Sequence, residues 1–459
     1  MISLYDHYRN LLHRGWQPVF RQTRTLSRAV EHALALPCVL GRRTISRVIC
    51  ALGRQFQDWT ADYRLFSRRF WQAPELFNPV LEDFLLRFPL GPIPLALDDT
   101  PLRKTGSKVE SARWQYDHMS PPFHVNLLYG LRFLAASVLF PHHQQGSFSA
   151  RAFPVRFQEA PILKKPGKRA SAEEHRLYRQ QRRQINLSGQ AVELLRELRE
   201  TLDRVGAASR TLLVAVDGAF CNRVIFRALL PGIHFIARCR KDARLCFPAP
   251  AGSRRRYQVD RFTPEHVRQD PSIPWRWVSV FYGAKRRRIR YKQIGPVLWQ
   301  RGAQQRPLTL IVIAAQPYRL SKNARLNYRQ PAYLLSTDGD GSPSLLIQTY
   351  LDRWQIEVNH RDLKQISGVG QAQVWAPPSV PRHPAFVAAT YSLLQLAALQ
   401  CFGPGRSEHF LPLPRWRKDA TRASFLDMVS LLRQEILETP NSPPPQLPIR
   451  QNAVTYAFT

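Results

Sequence analysis

Two short apolar runs that each end in aspartate constrain the fold of this chain more than any other feature. Residues 93–99 read IPLALDD, and residues 211–217 read TLLVAVD. Such runs are typical of strands that are buried within a sheet. Asp99 and Asp217 lie 118 residues apart. Only a fold that returns its strands side by side can therefore unite the two carboxylates.

Other local patterns predict an α/β (α+β) architecture, with a mixed sheet flanked by helices. Alternating or apolar runs predict further strands over 123–128, 131–139, 275–282, 289–294, 308–315 and 332–336. Capping residues and helical spacing predict helices that begin at Thr44, Pro74, Ser171, Gly189 and Ser344. The last of these should run to about Gln365, and another helix should follow before a Pro-rich tail.

Changes in composition and in predicted secondary structure divide the chain into five parts. Residues 1–88 should be a helical, DNA-binding module, and residues 239–306 an inserted β-rich subdomain. Residues 89–238 and 307–402 should be the two parts of one sheet-forming core, and residues 403–459 a helical segment with the Pro-rich tail. The segment GRRTISRVICALGRQ (41–55) is either a helix that enters a DNA groove or a solvated basic face.

The charge of the chain predicts a polyanionic partner. Lys and Arg number 67 against 33 Asp and Glu, a formal net charge of +34. A folded chain with this charge should bind nucleic acid. An anionic membrane surface would also fit, but the first 15 residues do not resemble a signal peptide. The uncharged run 385–402 contains polar residues and predicts a buried helix. We expect a cytoplasmic, nucleoid-associated protein with no membrane partner.

Neither the cysteines nor the histidines indicate a metal site. The six cysteines form no CxxC pair, and the pairs His142–His143 and His118/His124 lack a ligand motif. No GxxxxGK[ST] motif occurs, so no nucleotide cofactor is expected. Carboxylates are therefore the candidate ligands, and hard Mg²⁺ ions prefer such oxygen donors.

The helix predicted after Ser344 adds a third carboxylate in a basic setting. Tyr350, Arg353, Glu357 and Lys364 lie at offsets 0, 3, 7 and 14, within a sector of roughly 60° of a helix. Glu357 on this stripe can hold a metal while its neighbours contact phosphates. The alternative is an exposed helix with ordinary charge pairs, which leaves Tyr350 unexplained.

This spacing, Y-x2-R-x3-E-x6-K, resembles the signature of a large group of bacterial insertion-sequence transposases of the DDE type, which have a ribonuclease-H-like core. Asp99–Thr100 and Asp217 also resemble the first two acidic positions of that group. The resemblance spans about residues 94–373 and includes the inserted β subdomain.

The resemblance implies that Asp99, Asp217 and Glu357 are catalytic and ligate two Mg²⁺ or Mn²⁺ ions. It also implies that Arg353 and Lys364 contact the transposon-end backbone, and Tyr350 is assigned to the same DNA-binding stripe. Asp98 adjoins Asp99, and adjacent strand residues point to opposite faces, so only one of them can enter the site. We expect that residue to be Asp99.

The predicted function is therefore DNA transposition. The enzyme would bind terminal inverted repeats, hydrolyse phosphodiesters and join the 3′-OH ends to target DNA, as a homodimer on double-stranded DNA. Two alternatives stay open: a nuclease on this fold without strand transfer, and a domesticated, non-catalytic DNA-binding protein. Trp275, Trp277 and Trp299 lie among arginines and would either stack on extruded bases or fill a local core.

Overall fold

The computed structural model describes residues 3–68, 71–117, 120–121, 123–321, 323–417 and 420–438, and the predicted Pro-rich tail lies outside them. Within these ranges the chain forms ten strands of one mixed sheet and a separate two-stranded pair. The strands are β1 (Ile93–Arg103), β2 (Arg113–Tyr116), β3 (Leu127–Phe140), β4 (Arg151–Glu159), β5 (Leu212–Val216), β6 (Ile233–Arg238), β7 (Arg276–Tyr282), β8 (Lys285–Val297), β9 (Leu308–Ile313), β10 (Gln316–Tyr318), β11 (Asn327–Arg329) and β12 (Ala332–Ser336).

Helices cover both faces of this sheet. They are α1 (Leu4–Trp16), α2 (Thr23–Ala35), α3 (Ile45–Ala51), α4 (Thr60–Ser67), α5 (Asn78–Arg87), α6 (Ala172–Gln184), α7 (Leu187–Leu202), α8 (Arg223–Arg227), α9 (Pro264–Gln269), α10 (Pro343–Asp352), α11 (Trp354–Gln365), α12 (Ser379–Phe402) and α13 (Phe425–Glu438). Short 3₁₀ turns precede α3 and α5 and follow β3, at Leu36–Cys38, Ala73–Phe77 and His142–Gln144.

The order of the strands explains why the two apolar runs are buried. The sheet runs β2-β3-β1-β5-β6-β12-β9-β8-β7, and β4 also pairs with β3. Strand β5 is parallel to both β1 and β6, whereas β1 and β3 are antiparallel. All five residues of β5 are buried, as expected for a strand with helices on both faces. The predicted mixed sheet of a ribonuclease-H-like α+β fold is confirmed.

Helix α12 joins the N-terminal helices to the sheet. It packs against β4 on one side and against α1 on the other. The Trp16 and Phe386 rings lie 5.2 Å apart, and the Tyr8 hydroxyl donates to the Thr390 carbonyl at 3.2 Å. By length and composition α12 is the one described helix that could cross a membrane, but 83% of its most apolar window is buried inside the protein. The predicted buried helix is confirmed.

Several local predictions differ from the structure. The strands expected over 123–128 and 131–139 form one strand, β3, which begins only at Leu127, and Phe123 has a φ of 71°, outside the extended region. Strand β1 continues past Asp99 to Arg103, so both aspartates lie within it. The helix expected from Pro74 begins as a 3₁₀ turn and becomes α-helical at Asn78. The single helix expected from Ser344 to Gln365 is two helices, α10 and α11, which meet at Arg353.

The segment predicted as an inserted β subdomain contributes two strands to the main sheet. Residues 239–306 include β7 and β8, and β8 pairs with β9 from Tyr291–Ile313 to Val297–Leu308. The hairpin therefore extends the edge of the central sheet. Its boundaries as a separate domain stay a prediction.

Candidate active site

The register between β1 and β5 determines which acidic side chains share a face of the sheet. The strands run parallel, and Leu97 pairs with Val216. One residue further along, this register sets Asp98 beside Asp217. Paired residues of neighbouring strands point to the same face, and consecutive residues point to opposite faces. Asp98 and Asp99 therefore point to opposite faces of β1. The paired ladder ends at Leu97 and Val216, and its extension by one residue places Asp217 on the face of Asp98.

Helices α10 and α11 cover the face that carries Asp98. Leu346 of α10 lies in an apolar cluster with alternate residues of β5. Asn359 of α11 donates from Nδ2 to Ser137 Oγ at 3.2 Å, and Ser137 pairs with Ala96, two residues before Asp98. The helix that carries Glu357 thus lies over β1, on the face that carries Asp98.

Arg353 links the first strand to this helix. Its Nη2 donates to Glu357 Oε1 at 3.0 Å, and its Nη1 lies 4.0 Å from Asp98 Oδ2. His360, one helical turn beyond Glu357, places Nε2 3.7 Å from the same Asp98 oxygen. Two basic side chains of the helix region therefore approach Asp98.

Asp99 has a different partner. Its Oδ2 lies 3.5 Å from Arg132 Nε on β3, and Arg132 Nε also donates to Gln115 Oε1 at 3.3 Å. Burial raises the pKa of Asp99, and the negative charges of Asp98 and Asp217 add to that rise, while Arg132 opposes it. Asp99 is thus a half-buried, paired carboxylate beside the site.

Asp217 is oriented by the loop that it begins. Its Oδ1 accepts hydrogen bonds from the backbone N–H groups of Ala219 at 2.9 Å and Phe220 at 3.4 Å. This turn holds the carboxylate at the end of β5, where a strand-terminal aspartate was predicted.

Tyr350 and Lys364 each interact electrostatically with part of the acidic group. Burial raises the pKa of the Tyr350 hydroxyl, and the negative charges of Asp217 and Glu357 add to the rise. Burial lowers the pKa of Lys364, and the charges of Asp117, Asp98 and Asp99 oppose that change. Charge interactions therefore link these two residues of the predicted stripe to the carboxylates.

The donor chemistry of the site fits a divalent cation. Asp98, Asp217 and Glu357 supply carboxylate oxygens, the donors that Mg²⁺ and Mn²⁺ favour. Burial raises the pKa of Glu357, Arg353 opposes that rise, and the nearby Asp98 charge adds to it. Among the described residues, however, no three His, Cys, Asp or Glu side chains already form a compact ligand group. The carboxylates would have to converge on an ion.

Sequence reasoning did not identify His360 or Arg132. Both ring nitrogens of His360 are buried without a hydrogen-bond partner. Its position three residues after Glu357 could have indicated that it lies at the site, because residues at that spacing share a helix face. Arg132 had no such signal, since its contact with Asp99 depends on the pairing of β1 with β3.

The three tryptophans of the predicted subdomain have different environments. Trp277 is 56% exposed and lies between Arg288 and Arg290, whose guanidinium carbons are 5.2 and 5.9 Å from its ring. Trp275 is half-buried, and Trp299 packs edge-on against Phe226 in the core. Trp277 therefore has the exposure that stacking on a base requires.

The basic segment 41–55 is partly occupied by internal contacts. Arg54 Nη1 lies 3.3 Å from Asp62 Oδ1, and the same oxygen is 2.8 Å from His32 Nε2 and 3.3 Å from Arg28 Nε. Burial would raise the pKa of Asp62, but the hydrogen bond with His32 and the charges of Arg54 and Arg28 more than offset it, and the pKa is lowered. Arg47 remains on the exposed face of α3.

The ribonuclease-H-like sheet carries Asp98 and Asp99 within β1 and Asp217 directly after β5, and a covering helix carries Glu357. Carboxylates gathered in this way are typical ligands of divalent metal ions. Comparison with protein-family models matches residues 38–306 to the family described as DDE superfamily endonuclease. Since the match covers more than half of the chain, the chain belongs to this family. The matched segment includes Asp98, Asp99 and Asp217 but ends before α10. A search of curated proteins finds no match.

Proposed function

We propose that the protein is a DNA transposase of the Y-x2-R-x3-E-x6-K group. The observation that carries the proposal is that Arg353 of this motif contacts Glu357 at 3.0 Å and lies 4.0 Å from Asp98 of β1, on the fold of a DDE superfamily endonuclease. The reaction would hydrolyse a phosphodiester at an element end to free a 3′-OH. That hydroxyl would then attack target DNA.

The proposed ligands for two Mg²⁺ or Mn²⁺ ions are Asp217, Glu357 and one of the adjacent aspartates of β1. The sequence resemblance favours Asp99 for that role. The strand register and the contacts of Arg353 and His360 support Asp98 instead. When bound, the ions would supply charge stabilisation for the attacking and leaving oxygens of an in-line displacement.

The basic residues of the helix region have a positioning role in this proposal. Arg353 presents a planar fork of donors, which suits a phosphate, and it can exchange its contact with Glu357 for one with DNA. Lys364 would contact a second phosphate as a point charge, and the Tyr350 hydroxyl would donate to the backbone. Such contacts position a duplex without reading its sequence.

Two other functions remain alternatives. A nuclease without strand transfer would use the same carboxylates, and a domesticated DNA-binding protein would need none of them. Short inverted repeats that border the reading frame would favour a mobile element. We further propose that two copies bring the two element ends together on DNA in the bacterial cytoplasm, without a nucleotide cofactor.

The test combines cleavage with strand transfer. Purified full-length protein is incubated with labelled duplexes that carry the candidate repeats, a supercoiled plasmid and Mg²⁺ or Mn²⁺. We expect specific nicks at the repeat boundary and labelled plasmid as the joined product. Glu357→Gln should abolish both products while DNA binding persists.

Each other outcome identifies an alternative. Nicking without joined product would favour the nuclease. Binding without any cleavage, by the wild type and Glu357→Gln alike, would favour the domesticated protein. Failure to bind duplex DNA would exclude all three.

A further inference from the structure

A basic segment of the chain leaves the core and returns to it at nearly the same point. After β4, Gln190 Nε2 of α7 donates to the Pro161 carbonyl at 3.5 Å, so the chain returns close to where it departed. We call residues 162–185, which lie between these points, the basic arm. The arm contains eight Lys and Arg against two Glu.

The arm holds a helix that the protein body does not cover. Helix α6 begins with a complete capping box, in which Ser171 and Glu174 satisfy each other's backbone N–H groups. None of its described side chains is buried. Among the described side chains of the arm, the hydrogen bonds and ion pairs all stay within the arm, as between Arg176 and Glu173 at 2.7 Å.

The cations of α6 are concentrated on one face. Arg176, Arg179 and Arg183 fall within a sector of roughly 60°, along about 10 Å of helix. All three are exposed. The exposed Arg176–Glu173 pair contributes little stability and leaves the arginine free to exchange partners. This face can therefore present three guanidinium groups in a row to a phosphate backbone.

The root of the arm adjoins the loop that begins with Asp217. Ser188, at the start of α7, accepts a hydrogen bond from Asn222 Nδ2 at 2.8 Å. Asn222 ends the loop that follows Asp217 and caps α8. A ligand bound along the arm would therefore extend toward Asp217, at the end of β5.

We propose that the basic arm is a clamp for the phosphate backbone of double-stranded DNA. The proposal rests on the proposed function for the choice of DNA, and on the arm's charge and isolation for the surface. A membrane is disfavoured, because Leu177 and Tyr178 alone do not form the apolar face that an interfacial helix needs.

The test measures binding of the full chain to a labelled duplex of arbitrary sequence, over a series of salt concentrations, with a single-stranded RNA and anionic phospholipid vesicles as parallel probes. The variant replaces Arg176, Arg179 and Arg183 with Gln. Each lost phosphate contact should flatten the salt slope by about 0.9 units. Three lost contacts correspond to an affinity loss on the order of 100-fold at about 0.15 M salt. Replacing the same three residues with Lys is the charge-matched control and should keep most of the affinity.

The outcomes separate this inference from the proposed function, because binding does not require cleavage. Circular dichroism first verifies that each variant is folded. If the wild type binds duplex DNA and the Gln variant binds equally well with the same slope, the clamp is refuted and the proposed function stands. If the Gln variant loses affinity only for RNA or for anionic vesicles, the choice of partner is wrong. If the wild type binds no duplex, both proposals fail.

Discussion

Asp98→Asn and Asp99→Asn should differ in their effect on DNA cleavage by about two orders of magnitude. The two residues are adjacent in sequence but point to opposite faces of the sheet. Asp98 shares a face with Asp217 and lies within 4.0 Å of Arg353. Asp99 pairs with Arg132. The substitution by Asn preserves shape, so it isolates the loss of the carboxylate charge.

The expected magnitudes follow from these surroundings. A lost metal ligand removes several kcal/mol of transition-state stabilisation, and about 4 kcal/mol corresponds to a rate loss of roughly 1,000-fold. The side chains of Asp99 and Arg132 are 24% and 27% exposed. Partly exposed ion pairs contribute about 0–1 kcal/mol. Asp99→Asn should therefore lower the rate less than about fivefold.

The assay measures the initial rate of cleavage of a labelled duplex in Mg²⁺, with binding measured in parallel by gel shift. Glu357→Gln serves as the control for full loss of activity. A large loss in Asp99→Asn with near-normal cleavage by Asp98→Asn would refute the argument from strand register. It would support the ligand that the sequence resemblance favours.

Three further predictions concern stability and DNA binding. Asp62→Ala should lower the free energy of unfolding by about 1–3 kcal/mol, because it removes the hydrogen-bond partner of the buried His32 ring; chemical denaturation measures this. Burial lowers the pKa of His383 to about 3, so wild-type stability should fall as pH drops below about 6.5, and less steeply in His383→Leu. Trp277→Ala should keep the stability but lose roughly 1–3 kcal/mol of affinity for distorted or single-stranded DNA, whereas Trp299→Ala should chiefly destabilise the fold. Equal behaviour of the two tryptophan variants would contradict the assignment.

The sequence alone was sufficient to predict the central strands, because buried strands are continuous apolar runs. Strands β5 and β12 lie where the apolar runs predict them, and β1 begins where predicted but continues past Asp99 to Arg103. The same pattern cannot distinguish Asp98 from Asp99. Which of the two side chains faces the site depends on which residue of β5 lies opposite. That register is set by tertiary pairing between segments more than 100 residues apart.

The helix break at Arg353 and the pairing of β8 had no comparable local signal. Ideal helical geometry groups Tyr350 with Glu357, and the two remain close although α10 and α11 are separate helices. Alternation predicts β8 as a strand, but its partner β9 lies in the segment assigned to the catalytic core. Such long-range choices reflect packing, which local patterns do not encode.

The contact between α1 and α12 has a consequence for synthesis on the ribosome. Tyr8 and Trp16 are fully buried, in part by Thr390 and Phe386. At about 5–20 residues per second, roughly 20–70 s pass between translation of the two helices. During that interval the large apolar side chains of α1 lack their native cover. The nascent chain should therefore depend on chaperones until its last helices emerge.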